Sequence, residues 1–243
     1  SQWAPADNAQ GGGKVGAAIF IFGSIITCAL ALLISTPFSI ASAIFMTEIS
    51  PGIGRKILQP AVEIFVGIPS VVYGWIGLTI LVPFIKDLFD LKFGFSVLAA
   101  GIVLAVMIYP TITSLSADAI RSIPKSFRQA SYGLGATRWQ TISQVVIPAS
   151  KSGLMTAIVL GLARAFGEAL AVAMVIGKMK AFPESLLSPT TNLTAAIASD
   201  MGGAMEGSEY NIALWSMALL LFIISLVFIF IIHYISAKGG HKA

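Results

Sequence analysis

Three ionisable side chains, Glu63, Arg164 and Glu168, lie inside long apolar stretches of the sequence. A charged group at the centre of a bilayer costs about 2.5–3.5 kcal/mol on insertion scales, so such residues usually face a protein interior or a water-filled path. Arg164 and Glu168 are four residues apart and would share one helix face, where they could form an ion pair that fixes packing. Alternatively, Arg164 is a permanent cation on the path of an anionic solute, and Glu168 keeps that solute from binding too tightly.

The helix face that would carry Arg164 and Glu168 also carries Ala157, Gly161 and Ala171. Small side chains let helices approach closely in lipid. This face is therefore expected to point into a bundle of helices.

The second apolar stretch contains polar side chains that could line a cavity. Ser70 and Tyr73 follow Pro69, which lacks a backbone N–H and so frees a carbonyl one helical turn earlier. Packing is the commoner role for such residues, and Glu63 could equally be an interhelical partner. Short side chains at steps of three and four predict close packing here: Gly67, Ser70, Gly74 and Gly77.

The sequence does not predict a catalytic or metal site. The single cysteine, Cys28, lies in an apolar run, and the two histidines, His233 and His241, lie near the C-terminus. No His, Cys, Asp and Glu cluster has metal-ligand spacing, and the Walker A pattern is absent. We therefore expect no cofactor and no enzymatic activity, and any ATP hydrolysis would occur on another chain.

The composition predicts a polytopic, all-α bundle of transmembrane helices. Of the 243 residues, 56% are hydrophobic and 11% charged, and the mean hydropathy is +0.89, whereas soluble domains carry about 25% charged residues. Runs of this length exclude barrel strands. Five segments are long enough to span a bilayer: 16–46, 57–85, 94–113, 152–177 and 211–236.

Lysine and arginine predict the orientation. With the N-terminus outside, nine of these residues fall in inner segments and five in outer ones. The chain then divides into an external segment 1–14, a permease domain 15–236 with an inner loop 114–151, and a cytoplasmic tail 237–243. The sequence begins with Ser at an end predicted to be external, and it shows no signal peptide pattern. Either this end is exported unaided or a helix precedes it; we favour a preceding helix, giving six in the intact protein.

The loop 114–151 is predicted to form two short helices, at about 124–134 and 137–146. Pro124 suits a first helical turn, Gly135 a break, and Pro148 an end. An amphipathic loop of this kind could lie on the membrane surface or fit a groove on a cytoplasmic partner.

The motif in this loop resembles the EAA loop of bacterial ABC importer permeases, whose pattern is E-A-A-x3-G-x9-I-x-L-P. Here it has Gln129-Ala130-Ser131, then Gly135, then 145–148 ending in Pro148. The spacing agrees throughout, while Gln129 replaces Glu and Ser131 replaces the second Ala. The resemblance implies the MetI-like fold and a loop, including Arg138, that docks on an ATPase subunit.

Three further segments, 37–51, 67–77 and 161–177, resemble phosphate importer permeases, and 164–172 resembles the PstC type more than the PstA type. This implies a multi-pass protein of the bacterial plasma membrane with a cytoplasmic C-terminus. Its implied partners are a PstA-like permease subunit, two ATP-binding subunits and an external phosphate-binding protein. Phosphate would cross by alternating access, with Arg164, Glu168, Ser70, Tyr73 and Glu63 along the pathway.

Other functions stay open at this point. A permease for sulfate or molybdate fits the same physics, because tetrahedral oxyanions present similar charge and shape. A polyamine permease is disfavoured by Arg164. A membrane sensor would need an output domain, and a secondary transporter commonly shows internal repeats, neither of which the sequence shows.

Overall fold

The computed structural model describes residues 3–4 and 14–239, and it confirms the all-α bundle. Within these residues ten helices follow one another, and a short 3-10 turn (Met201–Gly203) follows the ninth. The helices are α1 Ala18–Ile49, α2 51–67, α3 Ser70–Leu88, α4 Val97–Arg121, α5 Lys125–Gly133, α6 Arg138–Ala149, α7 Lys151–Gly167, α8 Leu170–Val175, α9 Leu193–Asp200 and α10 Glu209–Gly239.

A two-residue antiparallel pairing precedes the helices. Strand β1 (Trp3–Ala4) pairs with β2 (Lys14–Val15), and Trp3 is opposite Val15. Residues 1–2 and 5–13 of the predicted external segment, and residues 240–243 of the predicted tail, lie outside the described residues.

The number of candidate membrane-spanning elements, four or five, is close to the five predicted from the sequence. Helices α1, α3, α4 and α10 are each long and apolar enough to cross a membrane. Helices α6 and α7 meet at a bend of 67° and pass the same test only as a pair, so the count is four, or five if this pair is one span. The pair covers 138–167 and overlaps the predicted span 152–177 only through α7.

Two of the predicted spans are interrupted, so their prediction as single helices is wrong. The segment 57–85 breaks between α2 and α3, where Ile68 and Pro69 are extended with ψ of 128° and 140°. Proline disfavours helical geometry in the residue before it, which explains this break. The segment 152–177 breaks at Glu168, whose φ of −77° and ψ of 122° are also extended.

Helix α4 forms the centre of the bundle and packs against α1 and α7. Its Leu104, Ile108 and Ile112 are completely buried. A Cβ added to Gly161 of α7 would lie 2.5 Å from the side chain of Ile112. This close approach confirms that the small-residue face of α7 points into the bundle.

The glycine stripe of the second segment is only partly a packing surface. A Cβ at Gly74 would lie 2.8 Å from both Ala171 Cα and Met174 Sδ of α8, and Gly77 packs against Val103 and Val175. A Cβ at Gly67, in contrast, would meet nothing within 4 Å. The break at Pro69 separates Gly67 from the packed face.

Candidate functional site

Arg164 lies in the groove between α4 and α7, where Gly161 lets the two helices approach. Its Nη1 donates a hydrogen bond of 2.6 Å to Thr111 Oγ1 of α4. The side chain is half-buried, and Arg164 belongs to none of the three ion pairs that the described part of the chain contains. The guanidinium is thus oriented by a neutral hydroxyl without being neutralised.

Glu168 does not form the ion pair with Arg164 that the sequence allowed. Helix α7 ends at Gly167, so the two residues do not share a helical face. Instead, a Glu168 side-chain oxygen accepts a bond of 3.4 Å from the backbone N–H of Ala171, and its backbone carbonyl accepts one of 2.7 Å from Thr194 Oγ1. Glu168 therefore stabilises the break between α7 and α8.

Tyr73 bridges the break between α2 and α3. Its hydroxyl donates a bond of 2.8 Å to the carbonyl of Phe65, which Pro69 leaves without its usual helical donor. The side chain is buried. Tyr73 thus holds the broken end of α2, while Ser70 is half-buried at the start of α3.

Glu63 belongs to a different network. It is exposed on α2 and accepts a bond of 3.0 Å from Gln59 Nε2. Gln59 in turn accepts one of 3.0 Å from Arg121 at the end of α4. The contact between helices is thus made by Gln59, while Glu63 bonds only within its own helix, α2.

A cleft of about 980 Å³ leads along the groove of α4 and α7 toward the loop that follows α4. Leu115 and Leu160 line it, each one helical turn from Thr111 and Arg164 respectively. Its other end is bounded by Pro124, Phe127 and Pro148. Arg164 is therefore positioned one turn beyond a solute-sized opening.

The two predicted loop helices are present as α5 and α6, and residues 114–121 belong to α4. Gly135, with φ of +81°, ends α5 in a Schellman motif. Its N–H bonds to Tyr132 O at 2.9 Å, and the N–H of Ala136 bonds to Ser131 O at 3.2 Å. A glycine suits this position because side chains are strained at positive φ.

The start of α6 is fixed by local hydrogen bonds. Thr137 Oγ1 accepts from the N–H of Gln140 at 3.3 Å, and Gln140 Oε1 accepts from the N–H of Thr137 at 2.8 Å, which is a capping box. Buried Ser131 and Thr141 join the two helices through a hydroxyl contact of 2.9 Å. Ser131, which departs from the family motif, thus ties α5 to α6.

The outer surface of this loop is apolar and open. Leu134 is 91% exposed, and Phe127, Tyr132 and Trp139 are also exposed. Gln129, Ala130 and Pro148 are exposed as well. Such a surface suits the groove of a partner or the surface of a membrane.

Sequence reasoning missed the connection between this loop and the end of α1. Arg128 Nε donates to both carboxylate oxygens of Glu48, at 3.0 and 3.2 Å, and its other nitrogens bond to the carbonyls of Ile123 and Ile120. Arg138 donates to the carbonyls of Glu48 and Ile49. The available signal was Glu48 itself, the only acidic residue between Asp7 and Glu63.

At the opposite end of the bundle, three polar side chains join the segment before α9 to the helices that follow. Lys180 Nζ lies 2.9 Å from Asp200 Oδ2 and donates to the Tyr210 hydroxyl, which donates to Asp200. Burial lowers the pKa of Lys180, but the hydrogen bonds to Tyr210 and Asp200 and the carboxylate charge outweigh it and hold the pKa above its ordinary value. Lys180 therefore stays protonated at neutral pH.

Comparison with known proteins gives a consistent result. A family model described as binding-protein-dependent transport system inner membrane component matches residues 35–239. The chain is 55% identical over 236 residues to the probable ABC transporter permease protein YqgH of Bacillus subtilis, covering 97% of this chain and 75% of that protein. It is 37% identical over 231 residues to the phosphate transport system permease protein PstC of Haemophilus influenzae, covering 87% and 73%.

The fold is also similar to a solved structure. A chain of the MetNI methionine ABC transporter, in an inward-facing conformation, matches with a TM-score of 0.66. The two are 21% identical, and the match covers 92% of this chain and 94% of that one. At this identity the match shows a shared fold.

Proposed function

Because the chain belongs to the family of binding-protein-dependent transport system inner membrane components, we propose that it is the membrane-spanning permease subunit of an ATP-driven phosphate importer. Membership of this family and the MetI-like permease fold confirm the two broadest predictions from the sequence. The chain is thus a multi-pass membrane protein of an ABC importer. What we propose beyond this is that phosphate is the solute, which residues line the pathway, which partners bind, and how the chain is oriented in the membrane.

The observation that carries the proposal is the environment of Arg164. Its guanidinium is half-buried, held by Thr111 and outside every ion pair of the described residues. A planar guanidinium binds two oxygens of a tetrahedral oxyanion at once. A positive charge kept in a membrane-spanning helix without a carboxylate partner is best explained by an anion that binds to it transiently. Relatives named as phosphate transport permeases support phosphate as that anion.

In the proposed mechanism, solute reaches Arg164 from an external phosphate-binding protein and leaves through the cleft beside Leu115 and Leu160. Tyr73 and Ser70 line the pathway near the break of α2 and α3, and Glu168 stabilises the break between α7 and α8. Two ATP-binding subunits dock on the loop formed by α5 and α6. Their closure moves the loop and switches the pathway from one side to the other, and the chain itself breaks no covalent bond.

The proposed orientation places the loop 114–151 and the C-terminus in the cytoplasm. Arg121, Arg128 and Arg138 then lie on the inner side, as the distribution of positive charge predicts. A PstA-like permease subunit would cover the exposed apolar surface of α2 and α3, which includes Ile64 and Trp75.

Uptake of radiolabelled phosphate into proteoliposomes tests this function. The complex, purified from native membranes with its partner chains, is supplied with the binding protein outside and ATP inside. We expect ATP-dependent phosphate uptake that Arg164→Ala abolishes while all subunits still co-purify. Arg164→Lys, which keeps the charge but loses the paired geometry, should retain part of the uptake.

Two results would contradict the proposal. Normal phosphate uptake by Arg164→Ala would reduce Arg164 to a packing role. Uptake of sulfate or molybdate in place of phosphate would show that the pathway serves a different oxyanion.

A further inference from the structure

The end of α1 is attached to the loop of α5 and α6 by a directional ion pair, although more than 70 residues separate them in sequence. The side chains of Arg128 and Glu48 are 19% and 9% exposed. Arg128 donates to both oxygens of one carboxylate, so the angle as well as the distance is fixed. Such a contact resists both pulling and sliding, unlike the apolar contacts around it.

A second arginine strengthens this attachment. Arg138, in the first turn of α6, donates to the carbonyls of Glu48 and Ile49. These carbonyls lie at the C-terminal end of α1, where helical carbonyls lack intrahelical donors and the helix dipole favours a cation. Both loop helices are thus attached to α1, α5 through Arg128 and α6 through Arg138.

The other end of α1 contacts the segment before α9. A Cβ at Gly23 would overlap the carbonyl oxygen of Thr191, so the two backbones touch. Ser24 Oγ accepts a bond of 3.1 Å from the N–H of Leu193, the first residue of α9. The next residue, Thr194, bonds to the carbonyl of Glu168 at the break between α7 and α8.

We propose that the Arg128–Glu48 ion pair makes α1 the element that carries movement of the loop to α9 and to the break at Glu168. The inference rests on the proposed role of the loop as the docking site of the ATPase. Helices α4 and α7 adjoin the loop in sequence and would move with it in any case. Helix α1 is not adjacent to the loop in sequence; apolar packing of Ala43 and Ile44 against α4 and α6 holds it near the loop, and Arg128 and Arg138 supply the directional contacts.

The test follows a label on α9 and does not depend on which solute is carried. Ala198 is exposed on α9 and is replaced by Cys in the whole complex. The native Cys28 is 2% exposed and does not compete for a membrane-impermeant maleimide. The rate at which the maleimide labels the introduced cysteine is measured with and without ATP in three proteins. One carries Ala198→Cys alone, and the other two also carry Glu48→Gln or Asp118→Asn. Asp118 is the matched control because it forms an exposed ion pair with Arg121 at the same end of the bundle.

We expect ATP to change the labelling rate of Ala198→Cys, and we expect Glu48→Gln to lose that change while Asp118→Asn keeps it. Glutamine retains the size of Glu48 and one acceptor, and co-purification of the ATPase checks that the complex assembles. An ATP response that persists in Glu48→Gln would overturn the proposal. So would loss of the ATPase from Glu48→Gln complexes, since the pair would then serve docking.

The outcome separates this inference from the proposed function. If ATP changes the labelling rate as expected in complexes that do not take up phosphate, only the assignment of phosphate as the solute is refuted. If complexes that carry only Ala198→Cys take up phosphate but ATP does not change their labelling rate, only the proposed role of α1 is refuted.

Discussion

Replacing Gly135 by Ala should weaken attachment of the ATPase subunits about 5- to 30-fold. Gly135 has φ of +81°, and a Cβ there would meet nothing within 4 Å. The cost is therefore one of backbone conformation and not of collision. A left-handed conformation costs an L-residue with a Cβ about 1–2 kcal/mol, and each 1.4 kcal/mol corresponds to a factor of about ten in affinity.

This cost falls mainly on the docked loop. When the loop is free, the last turn of α5 can fray and relieve the strain, whereas the docked loop must keep the Schellman motif and the start of α6 in place. Gly133→Ala is the matched control, since a Cβ there also meets nothing within 4 Å and its φ is not positive.

The assay is titration of the purified ATPase subunit onto permease complexes in lipid nanodiscs, read as a dissociation constant for both variants. We expect the ATPase subunit to bind the Gly135→Ala complex about 5- to 30-fold more weakly than the Gly133→Ala complex. Equal affinities would refute the reasoning, because they would show that the docked loop does not need a left-handed residue between α5 and α6.

Two further predictions concern the exposed and the packed surfaces. Leu134→Asp should separate the ATPase from the membrane complex in co-purification without unfolding the chain, because Leu134 is 91% exposed. Met205→Asp is the control, since Met205 is 75% exposed at the other end of the bundle and should have no effect on co-purification. Intact co-purification of Leu134→Asp would exclude docking through this loop. Gly74→Ala should lower the thermal midpoint of the detergent-solubilised protein at a cost of about 1–3 kcal/mol, because its Cβ would lie 2.8 Å from Ala171 Cα. Gly67→Ala, with open space around it, should leave the midpoint unchanged.

The parts of this fold that depend on local sequence were predictable. Apolar length predicted the number of spanning elements to within one. Pro124, Gly135 and Pro148 predicted two loop helices within a few residues of their observed ends. The role of Gly135 followed from its type, since a helix break at glycine requires no knowledge of distant contacts. Pro69 predicted a freed carbonyl but not the donor, because the Tyr73 hydroxyl reaches Phe65 only once the helix has broken.

The parts that depend on distant contacts were not predictable. Spacing placed Arg164 and Glu168 on one helix face, but spacing does not reveal that the helix ends between them. Thr111 and Arg164 are 53 residues apart, and no local pattern relates them. The same is true of Glu48 and Arg128, whose pairing requires the end of α1 and the loop to lie at one end of the bundle.

The burial of α10 has a consequence for how this chain can change over evolutionary time. Only 11% of the most apolar window of α10 is buried within the chain, against 67% for α4. Side chains such as Leu219, Phe222 and Phe230 face outward, so any residue of similar hydropathy satisfies them equally well. Drift among apolar residue types should therefore be freest in α10, whereas each position of α4 is constrained by the shape of its neighbours.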